Sequence, residues 1–296
     1  MALNLKTLAT RSSTAVVFVA VLLSCICFNY VSFTSLFFIV SLWGLFEFYQ
    51  IAEKLGAKPY KVIGLITGAI LFSFTIIHNS NLGLFFPSEV VLVGSVLTLF
   101  LIFLVALFDS RKNTVLNIAY TIMGVIYAVL PFVFLVSIAC IDKAYTFNHP
   151  SSNHYDNIAP YNYHYVLGII LLIWASDSFA YVVGSLIGKH KMYERISPGK
   201  TWEGTIGSAL LNVGCAYLIS TWFTELAFIH WIVISIIVSV FGTTGDLIES
   251  MLKRQAGIKD SGKIMPGHGG ILDRFDSLIF VSPFVFGYLL IIHTFY

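Results

Sequence analysis

Charge is scarce in this sequence. Asp, Glu, Lys and Arg make up 11% of its 296 residues, against about 25% in a soluble domain. Hydrophobic residues reach 57% and the mean hydropathy is +0.86. A water-soluble chain of this length could not cover so much apolar surface, so the excess must face lipid. Net charge is only +2, which gives no basis for a nucleic-acid partner. Cysteine is sparse too. Cys25, Cys27, Cys140 and Cys215 lie in apolar runs with no His or carboxylate at ligand spacing. They read as small buried hydrophobes, which argues against a disulfide framework or a thiolate metal site. No internal repeat is evident, which argues against a transporter built from inverted repeats. No small-residue cleavage site follows the first apolar run, so that run reads as an uncleaved span.

What is present is a series of long apolar runs. A helix needs roughly 20 such residues to cross a bilayer. Nine stretches qualify: 14–30, 33–51, 62–79, 89–108, 115–140, 163–188, 204–223, 228–245 and 277–296. The first two are nearly continuous, with Asn29-Tyr30 as the only turn between them. The basic residues decide whether they are separate. With nine spans and a cytoplasmic N-terminus, sixteen of the 17 Lys and Arg fall on the inside, and only Lys143 lies outside. Merging the first two spans would put Lys6 and Arg11 on the wrong side. The expected fold is therefore all-α and polytopic, with about nine transmembrane helices and the N-terminus cytoplasmic. Pro131 should kink the fifth span. The outside loop 142–162, with His149 and His154, and His164 just after it, reads as solvated.

The two halves differ in content. Residues 1–160 read as scaffold helices that also form the lipid pocket. Their charges sit at span ends, and Glu47 and Asp109 need no special role. Residues 161–296 read as the catalytic region, with the nucleotide and metal site. Asp177 lies inside the sixth span, about 16 Å from its cytoplasmic end at helical rise. A carboxylate at that depth needs a wet cavity or a cation. Ala180, Gly184 and Gly188 follow at four-residue spacing, a stripe suited to tight helix packing. The segment Ser197-Pro198-Gly199-Lys200-Thr201 reads as a turn that could present amides, a hydroxyl and an ammonium to phosphate.

The densest segment is 242–276. Asp246, Ser250 and Lys253 fall on one helical face, with Glu249 beside them. Lys253, Arg254, Lys259 and Lys263 then make a basic loop. Gly267-His268-Gly269-Gly270 can adopt positive φ and expose amides, and Asp273-Arg274-Phe275-Asp276 places two carboxylates three residues apart. Interleaved acids and cations are what a metal–nucleotide site needs: acids hold Mg²⁺, while Lys, Arg and amides hold phosphate oxygens.

The run Ser250-x-Leu252-Lys253-Arg254, Lys259-Asp260-x-Gly262, Met265-Pro266-x-His268-Gly269-Gly270, Asp273-Arg274-x-Asp276 resembles the signature of the phosphatidate cytidylyltransferase family. Asp177-x₂-Ala180-Tyr181-x₂-Gly184 and Ser197-Pro198-x-Lys200-Thr201-x-Glu203-Gly204 are similar to that family's upstream elements. The resemblance covers the chain from about Trp174 onward. Met265 and Gly199 depart from the residues usual in the family, and neither removes a reacting group.

The resemblance implies transfer of CMP from CTP to phosphatidic acid, giving CDP-diacylglycerol and pyrophosphate, in phospholipid biosynthesis at the inner face of the cell membrane. It implies Asp246 and Asp273 as Mg²⁺ ligands, with Asp177 and Asp276 as further ligands and space for a second cation. Lys253 and Arg274 join Asp246 and Asp273 as catalytic residues. Ser197, Lys200, Thr201, Ser250, Arg254, Lys259, Gly267, His268, Gly269 and Gly270 are the expected substrate contacts. A homodimer is the expected assembly. Another CTP-dependent lipid-phosphate cytidylyltransferase or a polyprenol kinase is the alternative.

Overall fold

The structure is a computed structural model that describes residues 5–79, 88–142, 161–262, 264 and 269–295. Ten helices account for most of them: α1 (Leu5–Phe28), α2 (Tyr30–Lys54), α3 (Lys61–Asn79), α4 (Ser88–Leu107), α5 (Thr114–Ala128), α6 (Leu130–Ala139), α7 (Tyr163–Ile187), α8 (Trp202–Trp222), α9 (Phe228–Gln255) and α10 (Leu272–Phe295). Among the described residues, seven stretches are long and apolar enough to cross a membrane. Two shorter apolar stretches, Ser13–Phe28 in α1 and Val93–Leu107 in α4, join them. Large apolar side chains such as Val62, Phe108, Leu186 and Leu210 stand on the outside of the bundle. Lipid is the solvent that tolerates such a surface.

The break between the first two runs falls at Asn29. Its backbone is extended, its side chain accepts from Ser32 N–H at 2.8 Å, and Ser32 Oγ accepts from Asn29 N–H in return. This reciprocal cap satisfies orphan amides at the start of α2 and stops one helix from running into the next. Phe18 of α1 and Phe37 of α2 both pack on Phe275, so α1 folds back along α2. The fifth run divides as expected. α5 ends at Ala128, and Pro131 sits in the first turn of α6, where its missing N–H leaves no helical bond broken.

Among the described residues, the chain forms a sheet at one place. β1 (Lys191–Tyr193) pairs antiparallel with β2 (Ser197–Thr201), with Lys191 opposite Thr201 and Tyr193 opposite Ser197. The expected Ser-Pro-Gly turn is thus a strand, and the reversal lies earlier, at 194–196. Its last residue, Thr201, caps α8 through Gly204 N–H at 3.2 Å. The small-residue stripe of α7 packs here. A Cβ on Gly188 would lie 2.7 Å from Thr201 Oγ1, and one on Gly204 would lie 2.8 Å from the Ala180 carbonyl. Hydropathy also misplaced two helix ends. α9 runs ten residues past the apolar segment to Gln255, and α10 begins five residues before it, at Leu272. Both extensions carry the charged residues into regular helix.

Candidate active site

The site is built from five segments. α7 brings Asp177, β2 and the start of α8 bring Ser197, Lys200 and Thr201, α9 brings Asp246, α10 brings Asp273, Arg274 and Asp276, and α1 adds Thr14, Phe18 and Val19. Together they line one cavity of about 580 Å³. Asp177 is open to that cavity, not packed against a neighbouring helix. Lys200 Nζ lies 2.7 Å from Asp246 Oδ2 and donates to the Thr243 carbonyl at 3.2 Å. Ser250 Oγ donates to Asp246 Oδ1 at 3.2 Å, the one-turn contact that the helical spacing implied.

Behind the cavity wall lies a tighter ionic group. Lys253 Nζ donates to Glu249 Oε2 at 2.7 Å and to Asp273 Oδ1 at 2.6 Å. Glu249 is 1% exposed, and its Oε1 has no hydrogen-bond partner among the described residues. Such an atom is expensive in a protein interior unless something else meets it. Carboxylate oxygens of Asp246, Glu249 and Asp276 lie within 4.8 Å of one another. Hard oxygen donors at this separation fit a divalent cation, and an orphaned oxygen is what such an ion would satisfy.

Asp273 is placed differently from the other expected ligands. Its Oδ2 accepts from Gly270 N–H at 2.7 Å, Ser261 N–H at 2.9 Å and Ser261 Oγ at 3.0 Å, while Oδ1 meets Lys253. Both oxygens are therefore engaged by the protein. Gly269 has φ +82°, and a Cβ there would lie 2.4 Å from Asp273 Oδ2, so only glycine fits. The Gly270 amide is turned to Asp273 and is not available to a ligand. Arg254 is exposed and donates to the Ile258 carbonyl at 3.3 Å. Lys259 lines a separate cavity of about 640 Å³, with Trp43, Gln50 and Lys54. Gly267 and His268 lie outside the described residues, as do His149 and His154 of the outside loop.

The reading of the sequence gave no role to three contributors. Glu249 sits three residues after Asp246, a same-face spacing that the i, i+4, i+7 stripe passed over. The α1 residues carried no polar signal strong enough to mark them. Glu47, assigned no special role, is 2% exposed, and its carboxylate receives three hydrogen bonds from the 261–272 segment. Its signal was a lone acid within an apolar run, the same argument that marked Asp177.

A sequence model of the Cytidylyltransferase family matches residues 9–292. The chain belongs to that family. Membership extends the likeness over the N-terminal helices, which carry none of the signature residues. Among curated members, phosphatidate cytidylyltransferases from Staphylococcus saprophyticus and Staphylococcus haemolyticus are each 48% identical over 122 residues, which is 40% of this chain and 46% of theirs. The enzyme of that name from Staphylococcus aureus strain COL matches over the same length at 48%. The matched segment thus spans about half the length of these curated relatives.

Proposed function

We propose that this chain transfers CMP from CTP to phosphatidic acid, yielding CDP-diacylglycerol and pyrophosphate. The observation that carries this reading is the cavity itself. Asp177, Asp246, Asp276, Lys200 and Arg274 converge in it, within a bundle of membrane-length helices. A site where two polyanions meet must supply both signs of charge: cations for the phosphates, and acids for the metal that accompanies a nucleotide triphosphate.

The nucleophile is an oxygen of the phosphatidate monoester, whose second pKa is near 6, so it is already an anion at neutral pH and needs no strong base. Its attack on the α-phosphorus of CTP forms a new P–O bond. The bond from that phosphorus to the bridging oxygen breaks, and pyrophosphate leaves with the electron pair. Lys200 and Arg274 line the cavity and are the cations positioned to hold phosphate oxygens. Lys253 does not line the cavity; from behind its wall it holds Glu249 and Asp273 together. Asp246, Glu249 and Asp276 would hold Mg²⁺, which supplies neutralisation of phosphate charge. Asp273 acts through Lys253 and the 261–270 loop.

The lipid pocket is assigned to the N-terminal half. An apolar groove of about 450 Å³, lined by Val17, Val21, Leu36 and Ile39 among others, shares Thr14 and Phe18 with the charged cavity. A lipid could leave its phosphate among the charges and lay an acyl chain along α1 and α2. Assays with CTP labelled at the α or the γ phosphorus and a panel of lipid phosphates test the whole reading. The α label should enter phosphatidic acid. Entry of γ label would make the protein a kinase, and transfer only to another lipid phosphate would overturn the substrate. In the same assay Val21→Trp should shift preference toward shorter acyl chains; an unchanged preference removes the groove.

The active site is assigned to the cytoplasmic side of the inner membrane, with nine spans and the N-terminus inside. The distribution of Lys and Arg supports this. A membrane-impermeant thiol reagent on intact cells should label Asn153→Cys and spare Gln255→Cys, in a background without the native cysteines. The opposite pattern would reverse the topology. Homodimer assembly is read by the mass of the purified protein in detergent.

A further inference from the structure

Glu47 lies on α2, more than 200 residues in sequence from the loop it touches. It does not line the catalytic cavity. Three neutral donors meet its buried carboxylate. Ile271 N–H donates to Oε1 at 3.0 Å, Leu272 N–H to Oε2 at 3.0 Å, and Ser261 Oγ lies 2.9 Å from Oε2. A buried carboxylate with only one such bond would be strongly destabilising. Here it sits on the N-terminus of α10, where unsatisfied amides and the helix dipole favour negative charge.

The loop is shaped around this group. A Cβ on Gly262 would lie 2.2 Å from Glu47 Oε1, and one on Gly270 would lie 2.4 Å from Oε2 and 2.2 Å from Ser261 Oγ. Ser261 is 5% exposed, and its Oγ lies 2.9 Å from Glu47 Oε2 and 3.0 Å from Asp273 Oδ2, with a single proton to donate to the two carboxylates. From Asp273 the contacts continue to Lys253 and Glu249. The first turns of α10 carry Asp273, Arg274 and Asp276. Whatever fixes the start of that helix fixes all three.

We infer that Glu47 is a positioning residue for the catalytic group: it clasps Ser261 and the first amides of α10, and so sets Asp273, Arg274 and Asp276 against α9. The inference rests on the proposed CMP transfer for its kinetic readout and on the structure alone for its second readout. Gln at this position keeps the shape but turns an NH₂ group toward an amide donor. Asp shortens the reach by one methylene and cannot span both amides.

The test compares purified wild type, Glu47→Gln, Glu47→Asp and Tyr49→Phe. Tyr49 lies on the same helix, equally buried, and its hydroxyl donates to the Thr121 carbonyl at 2.9 Å, away from the cavity. Misplacement of reacting groups by about 1 Å costs about 10²-fold in rate. Both Glu47 variants should therefore lose about that factor in kcat, with the KM for CTP changed far less. Tyr49→Phe should lower the thermal midpoint and keep kcat. Hydrogen exchange in detergent gives the independent readout: peptides covering 269–277 should exchange faster in Glu47→Gln than in wild type, with those covering 231–245 unchanged. Wild-type kcat in Glu47→Gln, or a loss no larger per folded molecule than in Tyr49→Phe, overturns the inference. If wild type does not transfer CMP to phosphatidic acid, the substrate reading fails, and the exchange of 269–277 alone decides the clasp: unchanged protection in Glu47→Gln rejects it.

Discussion

Asn in place of Asp246 should lower CMP transfer by about 10²–10³-fold, the scale expected when one preorganised charge is lost from a reacting site. Asp246 is where several lines of the structure meet. It contributes one of the three clustered carboxylates, and it pairs with Lys200 and accepts from Ser250. Asn preserves the volume and can still accept from Ser250, so the helix and its packing should persist. What disappears is the charge. An amide oxygen is a poorer ligand for a hard divalent cation than a carboxylate, so the residual activity should need more Mg²⁺ for half-maximal rate. Lys200 also loses the carboxylate it pairs with at 2.7 Å. The measurement is a two-way titration of CTP and Mg²⁺ on the purified variant, with circular dichroism and detergent stability as checks on folding. Near-normal turnover, or loss of activity with an unshifted Mg²⁺ requirement, would remove Asp246 from the metal-binding role.

Lys253→Met should have the largest effect on stability. The ammonium stands between Glu249 and Asp273, whose side chains are 1% and 7% exposed. Removing one partner of a buried ionic group costs about 3–5 kcal/mol, because the remaining charges stay buried without compensation. Methionine fills the space of the stem, so the loss reports charge and not a cavity. Transfer activity should fall with it. Adding Glu249→Gln should restore part of the stability by removing one stranded charge, without restoring transfer, since the same substitution takes an oxygen from the carboxylate cluster. A Lys253 that served only as a free phosphate contact would behave otherwise: Lys253→Met would slow transfer at unchanged thermal midpoint. The two outcomes are separated by thermal unfolding in detergent alongside the kinetic assay.

Several features of this protein were determined by local sequence. Continuous apolar runs of about 20 residues point to helices, which satisfy their own backbone groups within a bilayer, whereas a barrel strand needs only about half that length, and the structure has them. The Asn29 cap and the Pro131 break are local chemistry read directly from residue type. The stripe Asp246–Ser250–Lys253 follows from helical period, and the contact of Ser250 with Asp246 is one turn apart in the same helix. Family membership was legible for the same reason: the signature residues are close in sequence, within 250–276. Other features belonged to the tertiary structure. Hydropathy cannot see that α9 and α10 continue into charged segments, because burial by neighbouring helices, not apolarity, sustains them there. Ser197-Pro198-Gly199 has the composition of a turn, and pairing with 191–193 makes it a strand. Asp273 and Glu249 are both acids near the motif, and only packing decides that one is surrounded by donors while the other keeps an oxygen without a partner among the described residues, beside Asp246 and Asp276. Glu47 is the furthest case. Its partners lie more than 200 residues away, and no local pattern encodes which buried carboxylate will meet which helix terminus. That pairing exists only when α2 and α10 come together, and desolvation of the carboxylate then makes it obligatory.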